Sequence, residues 1–406
     1  FDVGDKDALE SRAAALNLTE RATRYTLTAA KLKELAAANL PIQWGVPSVD
    51  GYDGGVLPST YYTQFSQLLI PPLTLRPIDG RLREALAHES CGGVCIPDSR
   101  WLALMNTRWL VLDKTHDVWH EGVAFDTAFK FTLGDSPLEV IPSTFVADRA
   151  QILFSGERAP TLYADGAPRT AESTRALESG QRVAEYLLGE ARALESLAVS
   201  GAGELAALTL VDSRTGDFQQ VTLGHWRLAL SSDVKLYENL NVLPRAFVID
   251  GNVSIVSDTW LGTEDAIRIM AAPAFDPAVN AVLHTDTPAA QIFPPAQASG
   301  ATGDSTAEII SYTPTRVEVR VNAVRRGVLI LTDSYDAGWR ATVNDAPAPL
   351  YRANAMFRAV AVDAGESLVT FSYAPSWSPL GFIISGVSWA LLGVFVLVLR
   401  RRPRDS

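Results

Sequence analysis

Residues 308–333 read EIISYTPTRVEVRVNAVRRGVLILTD, and this stretch decides the fold of the C-terminal part of the chain. In TRVEVRV the valines alternate with Thr, Glu and Arg, which is the pattern of a strand with one buried and one solvated face. Turn-forming pairs follow at Asn344-Asp345 and Ala364-Gly365. The sequence therefore predicts a small β-sandwich over residues 305–375.

Residues 379–399, PLGFIISGVSWALLGVFVLVL, contain no charged side chain and run directly into three arginines. At about 1.5 Å per residue, a helix of this length matches the hydrocarbon core of a bilayer. We therefore predict a transmembrane helix here, with a buried core helix as the alternative. The basic tail, residues 400–406, predicts a cytoplasmic C-terminus and an extracytoplasmic position for the rest of the chain.

An extracytoplasmic position requires an export signal ahead of the exported residues. The first twenty residues, FDVGDKDALESRAAALNLTE, contain neither an apolar segment nor an initial Met. We therefore expect that a signal peptide has been removed, or that transmembrane segments precede Phe1 in the gene product.

Short apolar, β-branched segments at 108–113 and 244–250 predict two buried strands. The segment 258–277, DTWLGTEDAIRIMAAPAFDP, predicts a helix that ends near its first proline. Helices that alternate with buried strands favour a small α/β unit. We expect its first part within residues 1–129 and its second part within residues 233–300.

Between these two parts, residues 130–232 alternate in polarity and carry Gly and Asp turns, as is typical of an antiparallel sandwich. Within this insertion, residues 169–195 (RTAESTRALESGQRVAEYLLGEARALE) predict one helix, and the polar segment 294–308 predicts a linker further on. The predicted fold class is α+β and multidomain. It consists of a small α/β unit interrupted by a β-sandwich, a second C-terminal β-sandwich, and one transmembrane helix.

The net charge is −11, and because residues 400–406 contribute +3, the remainder of the chain carries −14. An acidic surface of this size argues against nucleic acid as a partner. The sequence contains no familiar dinucleotide, phosphate-binding, metalloprotease or hydrolase motif. It therefore identifies no catalytic residue and no metal site.

The two cysteines, Cys91 and Cys95, stand in HESCGGVC and favour a local disulfide, worth about 2 kcal/mol at most for so short a loop. A metal site with His88 as a third ligand is the alternative. His116 and His120 have the i, i+4 spacing of metal ligands on a helix. No third ligand stands nearby in the sequence, so ordinary structural histidines are the simpler interpretation.

The segment VDGYDGG places Asp50 and Asp53 on either side of Tyr52. Paired carboxylates serve in acid–base chemistry or bind a cation, and a tyrosine ring stacks on a sugar. Asp and Gly are also ordinary turn formers, which is the simpler interpretation. Tyr61 and Tyr62 follow closely and are compatible with a sugar-facing or lipid-facing surface.

The string DSYDAGWRATVND places Trp339 at the start of a predicted strand, directly after a glycine. A tryptophan there serves either as a platform for a carbohydrate ring or as the core residue of the sandwich.

At this string the chain resembles the C-terminal part of the YfhO-like bacterial membrane proteins, which are related to the GT-C glycosyltransferases. The resemblance covers all parts except the insertion, which is similar only in its β character. The matching segments are GVPSVDGYDGGVLP with STYYTQF (45–65), LMNTRWLVLD (104–113), LYENLNVLPRAFVID (236–250) and the long segment 326–381 with its GW-x-A-x-V-N-D turn.

The resemblance implies upstream transmembrane helices that carry the acidic catalytic loop of a GT-C enzyme. It also implies a polyprenyl-phosphate sugar donor for the whole protein, with no cofactor in this chain. Family members are associated with adding sugars to envelope polymers such as teichoic acids at the bacterial plasma membrane. The motif residues that the resemblance carries over as binding candidates are Tyr52, Asp53, Tyr61, Tyr62, Arg245 and Trp339.

The leading hypothesis is that this extracytoplasmic region positions an envelope glycan near a membrane-embedded active site and is not catalytic by itself. Its expected partners are the lipid bilayer, the upstream helices and the glycan. One alternative is a membrane-anchored carbohydrate-binding or structural protein without any catalysis. Another is an anchored glycoside hydrolase that uses Asp50 and Asp53.

Overall fold

The chain folds into two compact units that divide after Leu243, with the short segment Ser59–Phe65 belonging to the second unit. A computed structural model describes Thr19, 21–22, 41–49, 59–70, Leu82, 86–88, 93–141, 144–232, 234–293, 304–375 and 378–401.

The described elements are mostly β-strands. The strands of the first unit are β1 (Ala87–His88), β2 (Gly93–Val94), β3 (Trp109–Leu112), β4 (Asp117–His120), β5 (Val123–Asp126), β6 (Phe131–Leu133), β7 (Leu138–Val140), β8 (Ala147–Ser155), β9 (Thr161–Ala164), β10 (Ala167–Arg169), β11 (Ser173–Ala176), β12 (Arg182–Arg192), β13 (Leu197–Ser200), β14 (Gly203–Asp212), β15 (Asp217–Val221), β16 (Trp226–Ser231) and β17 (Lys235–Asn239). Those of the second unit are β18 (Ala246–Ile249), β19 (Asn252–Val256), β20 (Asn280–His284), β21 (Thr306–Thr313), β22 (Arg316–Ala323), β23 (Gly327–Ser334), β24 (Trp339–Val343), β25 (Ala346–Ala348), β26 (Tyr351–Ala353), β27 (Phe357–Val362) and β28 (Gly365–Tyr373).

Helices are few in the described part of the chain. The α-helices are α1 (Thr60–Phe65), α2 (Ser99–Leu104), α3 (Trp260–Ala271), α4 (Ala289–Ile292) and α5 (Ser378–Arg401). Short 3₁₀ turns lie at Pro41–Trp44, Ser66–Leu68 and Lys114–His116.

The first unit is built around a β-sandwich formed by the predicted insertion. One sheet has the strand order β10-β9-β13-β7, and the other has the order β11-β12-β8-β14-β15, with β6 added beside β14. Alternate residues of these strands, such as Ile152, Phe154, Leu162 and Val199, form one apolar core between the sheets. The antiparallel character predicted for this insertion is therefore confirmed.

The predicted helix at 169–195 is wrong, because this segment forms strands β11 and β12. Strand β12 pairs with β8, and its residues Ala184, Tyr186 and Leu188 face the sandwich core. Val183 faces the opposite side, where the β4–β5 hairpin adds a second apolar layer. On this outer face only Val183 is buried, whereas Leu187 is 45% exposed. Apolar residues on both faces of β12 interrupt the alternation expected of a strand and resemble the composition of a helical segment.

A small antiparallel sheet joins the chain segments that flank the insertion. Strand β17 pairs with β3 on one side and with β16 on the other. The two flanking segments therefore meet in this sheet. The strands that follow β17 join the second unit instead.

The second unit contains two sheets with a shared core. The first has the order β18-β23-β27-β26-β20-β19, and the second has the order β21-β22-β28-β24-β25. Strands β19 and β20 are parallel and are connected by helix α3, which gives one βαβ unit at the edge of an otherwise antiparallel sheet. The sandwich predicted for residues 305–375 is thus larger, since β18 to β20 belong to one of its sheets.

The two predicted hairpin turns of the second unit are present. Asn344 and Asp345 have φ angles of 50° and 65° between β24 and β25, and Gly365 has a φ of 102° at the start of β28. Such left-handed conformations are those that Asn, Asp and Gly adopt most readily.

The segment that predicts a membrane span lies in helix α5. Its side chains from Gly381 to Val396 are exposed. Among the residues that the structure describes, no helix combines the length and the apolar character that a membrane crossing requires.

Candidate functional site

The binding candidates from the sequence fall into three groups. Tyr52 and Asp53 lie outside the described residues, as does Asp50. Tyr61 and Tyr62 lie on helix α1, where both are half-buried. The remaining two candidates lie in the second unit, where Arg245 binds the carboxylate of Asp333 and Trp339 packs against Arg358, as described below.

Arg245 stands directly before strand β18 and binds a carboxylate of strand β23. Its Nε and Nη2 donate to Asp333 Oδ1 at 2.9 and 2.6 Å, and Nη2 also donates to the Tyr312 hydroxyl at 2.6 Å. The Arg245 guanidinium carbon lies 4.5 Å from the centre of the Tyr312 ring. Burial, together with the Asp333 carboxylate, raises the pKa of Tyr312.

Arg358 of strand β27 binds the other oxygen of the same carboxylate. Its Nη2 donates to Asp333 Oδ2 at 3.1 Å and its Nε donates to the Ser334 carbonyl at 3.0 Å. The side chain is 5% exposed, and burial lowers its pKa. Asp333 therefore lies between two guanidinium groups, and one carboxylate balances two positive charges.

Trp339 is a core residue of the sandwich, with only 9% of its surface exposed. The Arg358 guanidinium lies 3.7 Å from the ring centre, and the Tyr373 ring lies 5.3 Å away. Gly338 before it has no room for a side chain, because a Cβ would lie 2.7 Å from the Tyr373 ring. This close approach is the reason for the glycine in the Gly-Trp pair.

Arg352 of strand β26 is almost fully buried, at 2% exposure. Its Nη2 donates to Asp258 Oδ1 at 2.8 Å, and its Nη1 donates to Thr263 Oγ1 at 3.0 Å. The guanidinium carbon lies 4.4 Å from the Tyr61 ring, which in turn meets the Tyr335 ring edge-on at 5.8 Å. The sequence candidate Tyr61 thus covers a buried arginine.

These contacts form one group, which we call the arginine row: Arg245, Arg352 and Arg358 with Asp258 and Asp333. Arg352 and Arg358 are direct cross-strand neighbours in the β26–β27 pair. Sequence reasoning missed both of these arginines. The signal available in the sequence was that each of these arginines stands among the apolar residues of a strand.

His284 extends the row onto strand β20, where it lies opposite Arg352. It is 2% exposed, and burial followed by the charge of Arg352 lowers the pKa of the imidazole to about 3. His284 is therefore neutral at physiological pH and adds no charge to the row.

An open cleft of about 450 Å³ lies beside Trp339 in the second unit. Its walls include Tyr335, Arg340, Thr342 and Leu350. Tyr335 is half-buried and Arg340 is exposed. An aromatic ring, a guanidinium and a hydroxyl at one cleft are the groups that bind a sugar ring and its oxygen atoms.

The first unit buries a second group of charges, which we call the lysine cluster: Lys235, Asp117 and Asp126 with Tyr237 and Gln220. Lys235 is 1% exposed, and its Nζ contacts Asp117 and lies 3.2 Å from Asp126 Oδ2. The Tyr237 hydroxyl donates to Asp126 at 2.7 Å, and the Gln220 amide donates to Asp117 at 3.1 Å. Burial, the largest influence, raises the pKa of Asp117.

The predicted metal-ligand alternatives gain no support from the described residues. His116 ends a 3₁₀ turn and His120 ends strand β4, so the helical spacing does not apply. No group of three metal-binding side chains occurs among the described residues. Cys95 is disulfide-bonded, and Cys91, which lies outside the described residues, is the only other cysteine in the sequence.

Comparison with solved structures yields arabinofuranosyltransferase AftD from mycobacteria. A mutant form of it aligns with a TM-score of 0.18 and 14% identity, covering 56% of this chain and 12% of that one. A further structure of AftD aligns with a TM-score of 0.16 and 10% identity, covering 65% and 24%. This chain thus spans less than a quarter of their length, and similarities this low carry no argument about function.

A search among curated proteins finds no match. Comparison with protein families matches residues 297–385 to the family described as bacterial membrane protein YfhO. The match covers strands β21 to β28, including Trp339, Arg352 and Arg358, and the beginning of helix α5. Over this C-terminal segment the chain is YfhO-like, and the resemblance noted in the sequence is confirmed there.

Proposed function

We propose that this chain is the β-rich accessory region of a membrane-associated, GT-C-related protein that acts in glycosylating a cell-envelope polymer. The observation that carries the proposal is the match of residues 297–385 to a family of bacterial membrane proteins. On this proposal the second unit holds the acceptor glycan. The transfer reaction takes place in transmembrane helices that belong to the longer protein.

The cleft beside Trp339 is the proposed place for the glycan. Tyr335 offers a partly exposed ring, Arg340 an exposed guanidinium and Thr342 a hydroxyl. Trp339 itself is covered by Arg358 and supports the cleft wall rather than stacking on a sugar. A volume of about 450 Å³ is within the range of ordinary ligand sites.

A binding measurement tests this proposal. We expect fragments of envelope polysaccharide to perturb the NMR signals of Tyr335 and Trp339, and Tyr335→Ala and Arg340→Ala each to weaken binding about tenfold. Arg320→Ala is the matched control, because Arg320 is an exposed arginine that pairs with Glu308 elsewhere in the same unit. Equal binding by all variants, or no binding by the original chain, would contradict the proposed site.

The proposed topology places the two units outside the bacterial plasma membrane, helix α5 in the bilayer and the basic tail 400–406 in the cytoplasm. The supporting features are the uncharged run of residues 379–399 and the arginines after it. Protease added to intact cells is expected to remove both units and to leave the tail protected. A protected bulk with an accessible tail would reverse the topology.

The chain by itself is proposed to have no transferase activity, since the polyprenyl-phosphate sugar donor is expected to bind the whole protein. Turnover of a lipid-linked sugar by the isolated chain would contradict this. The alternative is an anchored carbohydrate-binding or structural protein with no catalysis. The sequence of the gene before Phe1 separates the two, because about ten hydrophobic spans support the transferase and a lone signal peptide supports the anchored binder.

A further inference from the structure

The lysine cluster of the first unit joins the two chain segments that flank the insertion. Asp117 of strand β4 and Asp126 of strand β5 are direct partners in one hairpin, and Lys235 comes from strand β17. The Lys235 Nζ contacts Asp117 Oδ1 and lies 3.2 Å from Asp126 Oδ2. An amine and two carboxyl groups therefore meet at one point, although Asp117 and Lys235 stand 118 positions apart in the chain.

Water has little access to these three groups. The side chains of Lys235, Asp117 and Asp126 are 1%, 7% and 3% exposed. Burial disfavours charged forms, and it is the largest of the influences on Asp117, whose pKa is raised. The raised pKa favours a neutral carboxyl group. A proton that passes from Lys235 to Asp117 also leaves a neutral amine, whose lone pair is free to react.

The hydrogen bonds of the cluster suit the two carboxyl groups to different roles. The Gln220 amide donates to Asp117 Oδ1 at 3.1 Å, and such a donor stabilises negative charge that develops on this oxygen. Asp126 accepts from the Tyr237 hydroxyl at 2.7 Å and from the Ala128 N–H at 3.1 Å, and both bonds favour the ionised carboxylate. Asp117 is thus suited to be attacked, and Asp126 is suited to accept a proton.

We propose that Lys235 and Asp117 condense to form an isopeptide bond, with Asp126 as the group that transfers the proton. The lone pair of Nζ attacks Cγ of the protonated Asp117, and the N–C bond forms. Asp126 takes one proton from the attacking nitrogen and passes it to the hydroxyl group of Asp117, whose C–O bond breaks. One water molecule leaves, Asp126 is a carboxylate again, and no oxidant or further reactant is needed.

Two physical effects favour this condensation inside the fold. Groups that are oriented next to each other react as if each were present at about 10⁵ M or more. The product also replaces a buried ion pair, which has a large desolvation cost, with a neutral amide. The bond closes a loop around the insertion and holds its two ends together. It does not depend on the proposed glycan function, and the charges of the lysine cluster belong to the chain before the bond forms.

The intact mass of the full chain, purified in detergent and then denatured and reduced, tests the proposal. We expect nearly all molecules to be lighter than the sum of their residues by one water molecule. Tandem mass spectrometry of a tryptic digest is expected to find the peptide of Lys235 joined to the peptide of Asp117. A full, unmodified mass of the folded chain would overturn the proposal, as would a link between any other pair of side chains.

Variants separate this bond from other losses of water. Lys235→Met is expected to keep its full mass, whereas Lys130→Met, at a half-exposed lysine 4.0 Å from Glu204, is expected to lose one water molecule as the original chain does. A cyclic imide at an Asp-Gly pair also loses water but does not require Lys235, so a loss of water from Lys235→Met would contradict the bond.

The role of Asp126 has its own test. Asp126→Ala is expected to keep its full mass while its circular dichroism spectrum matches that of the original chain. A folded Asp126→Ala chain that still loses water would remove Asp126 from the reaction. The mass of the original chain decides whether the bond exists even where a variant does not fold.

Discussion

Both units bury a cluster of charged side chains, but the two clusters carry opposite excess charges. The lysine cluster of the first unit sets Lys235 against the two carboxylates Asp117 and Asp126. The arginine row of the second unit sets Arg245 and Arg358 against Asp333, and Arg352 against the partly exposed Asp258. In the described structure no buried polar side-chain atom of the lysine cluster lacks a partner, whereas the arginine row leaves two unpaired, Arg352 Nε and Arg358 Nη1.

The two clusters differ in how their excess charge can be neutralised. A carboxylate in excess takes up a proton, and the raised pKa of Asp117 has this direction. An arginine in excess keeps its proton, so its charge must be balanced by another group. The acid-rich cluster can therefore adjust its charge by protonation, whereas the arginine-rich cluster relies on carboxylates at its edge, Asp258 beside Arg352 and Asp336 near Arg358. Four substitutions test this contrast.

The largest effect is expected for Lys235→Met. This change leaves Asp117 and Asp126 buried without a cation, and removing one partner of a buried ion pair costs about 3–5 kcal/mol. Urea unfolding measures the loss. Lys130→Met is the matched control, because Lys130 is half exposed and only 4.0 Å from Glu204. A loss for Lys235→Met below about 1 kcal/mol would show that the cluster is already neutral without the lysine.

The next largest effect is expected for Asp333→Asn. The amide oxygen still accepts one hydrogen bond, but Arg245 and Arg358 lose their shared negative charge, and we expect a loss of about 2 kcal/mol. Urea unfolding compares it with Asp363→Asn, in which an exposed partner of Arg326 is neutralised. Equal losses in the two variants would contradict a special role for the buried carboxylate.

A smaller, pH-dependent effect is expected for Asp117→Asn. Burial raises the folded-state pKa of Asp117 above its unfolded value, so the folded state binds this proton more tightly. The stability that Asp117 contributes is complete below its unfolded pKa and is lost as pH rises through its folded pKa. The variant cannot lose a proton, and its stability relative to the original chain is expected to increase with pH over that window. Urea unfolding across about pH 4 to 8 measures this, and a constant difference contradicts it.

The smallest effect is expected for Trp339→Phe. The substitution weakens the contact with the buried guanidinium of Arg358 and costs about 1 kcal/mol in unfolding free energy, beyond the change in volume. Trp109→Phe is the matched control, since Trp109 is half exposed and 5.3 Å from the guanidinium carbon of Arg108. Similar values for both variants would show that burial does not strengthen this kind of contact here.

Local pattern reasoning succeeded where one face of an element is buried and the other is solvated. Strands β21 and β22 alternate in this way, and β22 was predicted from its valines. Helix α3 was predicted to end near Pro273, and it ends at Ala271, two residues before that proline. Strand β12 was mispredicted as a helix because apolar residues occur on both of its faces, the buried Val183 and the exposed Leu187 among them, and interrupt the alternation.

The candidate site was predicted only in fragments. Tyr61, Arg245 and Trp339 were identified, yet their partners Arg352, Arg358 and Asp333 come from other strands and turns. No spacing in the sequence predicts that Arg352 and Arg358 lie opposite each other in the β26–β27 hairpin. Trp339 was left open between a sugar platform and a core residue, and the structure places it in the core under Arg358.

The sequence by itself determined the β-rich character, the hairpin turns, the uncharged C-terminal run and the YfhO-like resemblance, because each depends on residues close together in the chain. Only the tertiary structure decided that β18 to β20 join the C-terminal sandwich and that three arginines share two carboxylates. Strand order and buried charge balance depend on contacts between distant residues, such as Arg352 with Asp258, 94 positions apart, and Lys235 with Asp117, 118 positions apart. Such contacts are set by tertiary packing and cannot be predicted from a local sequence pattern.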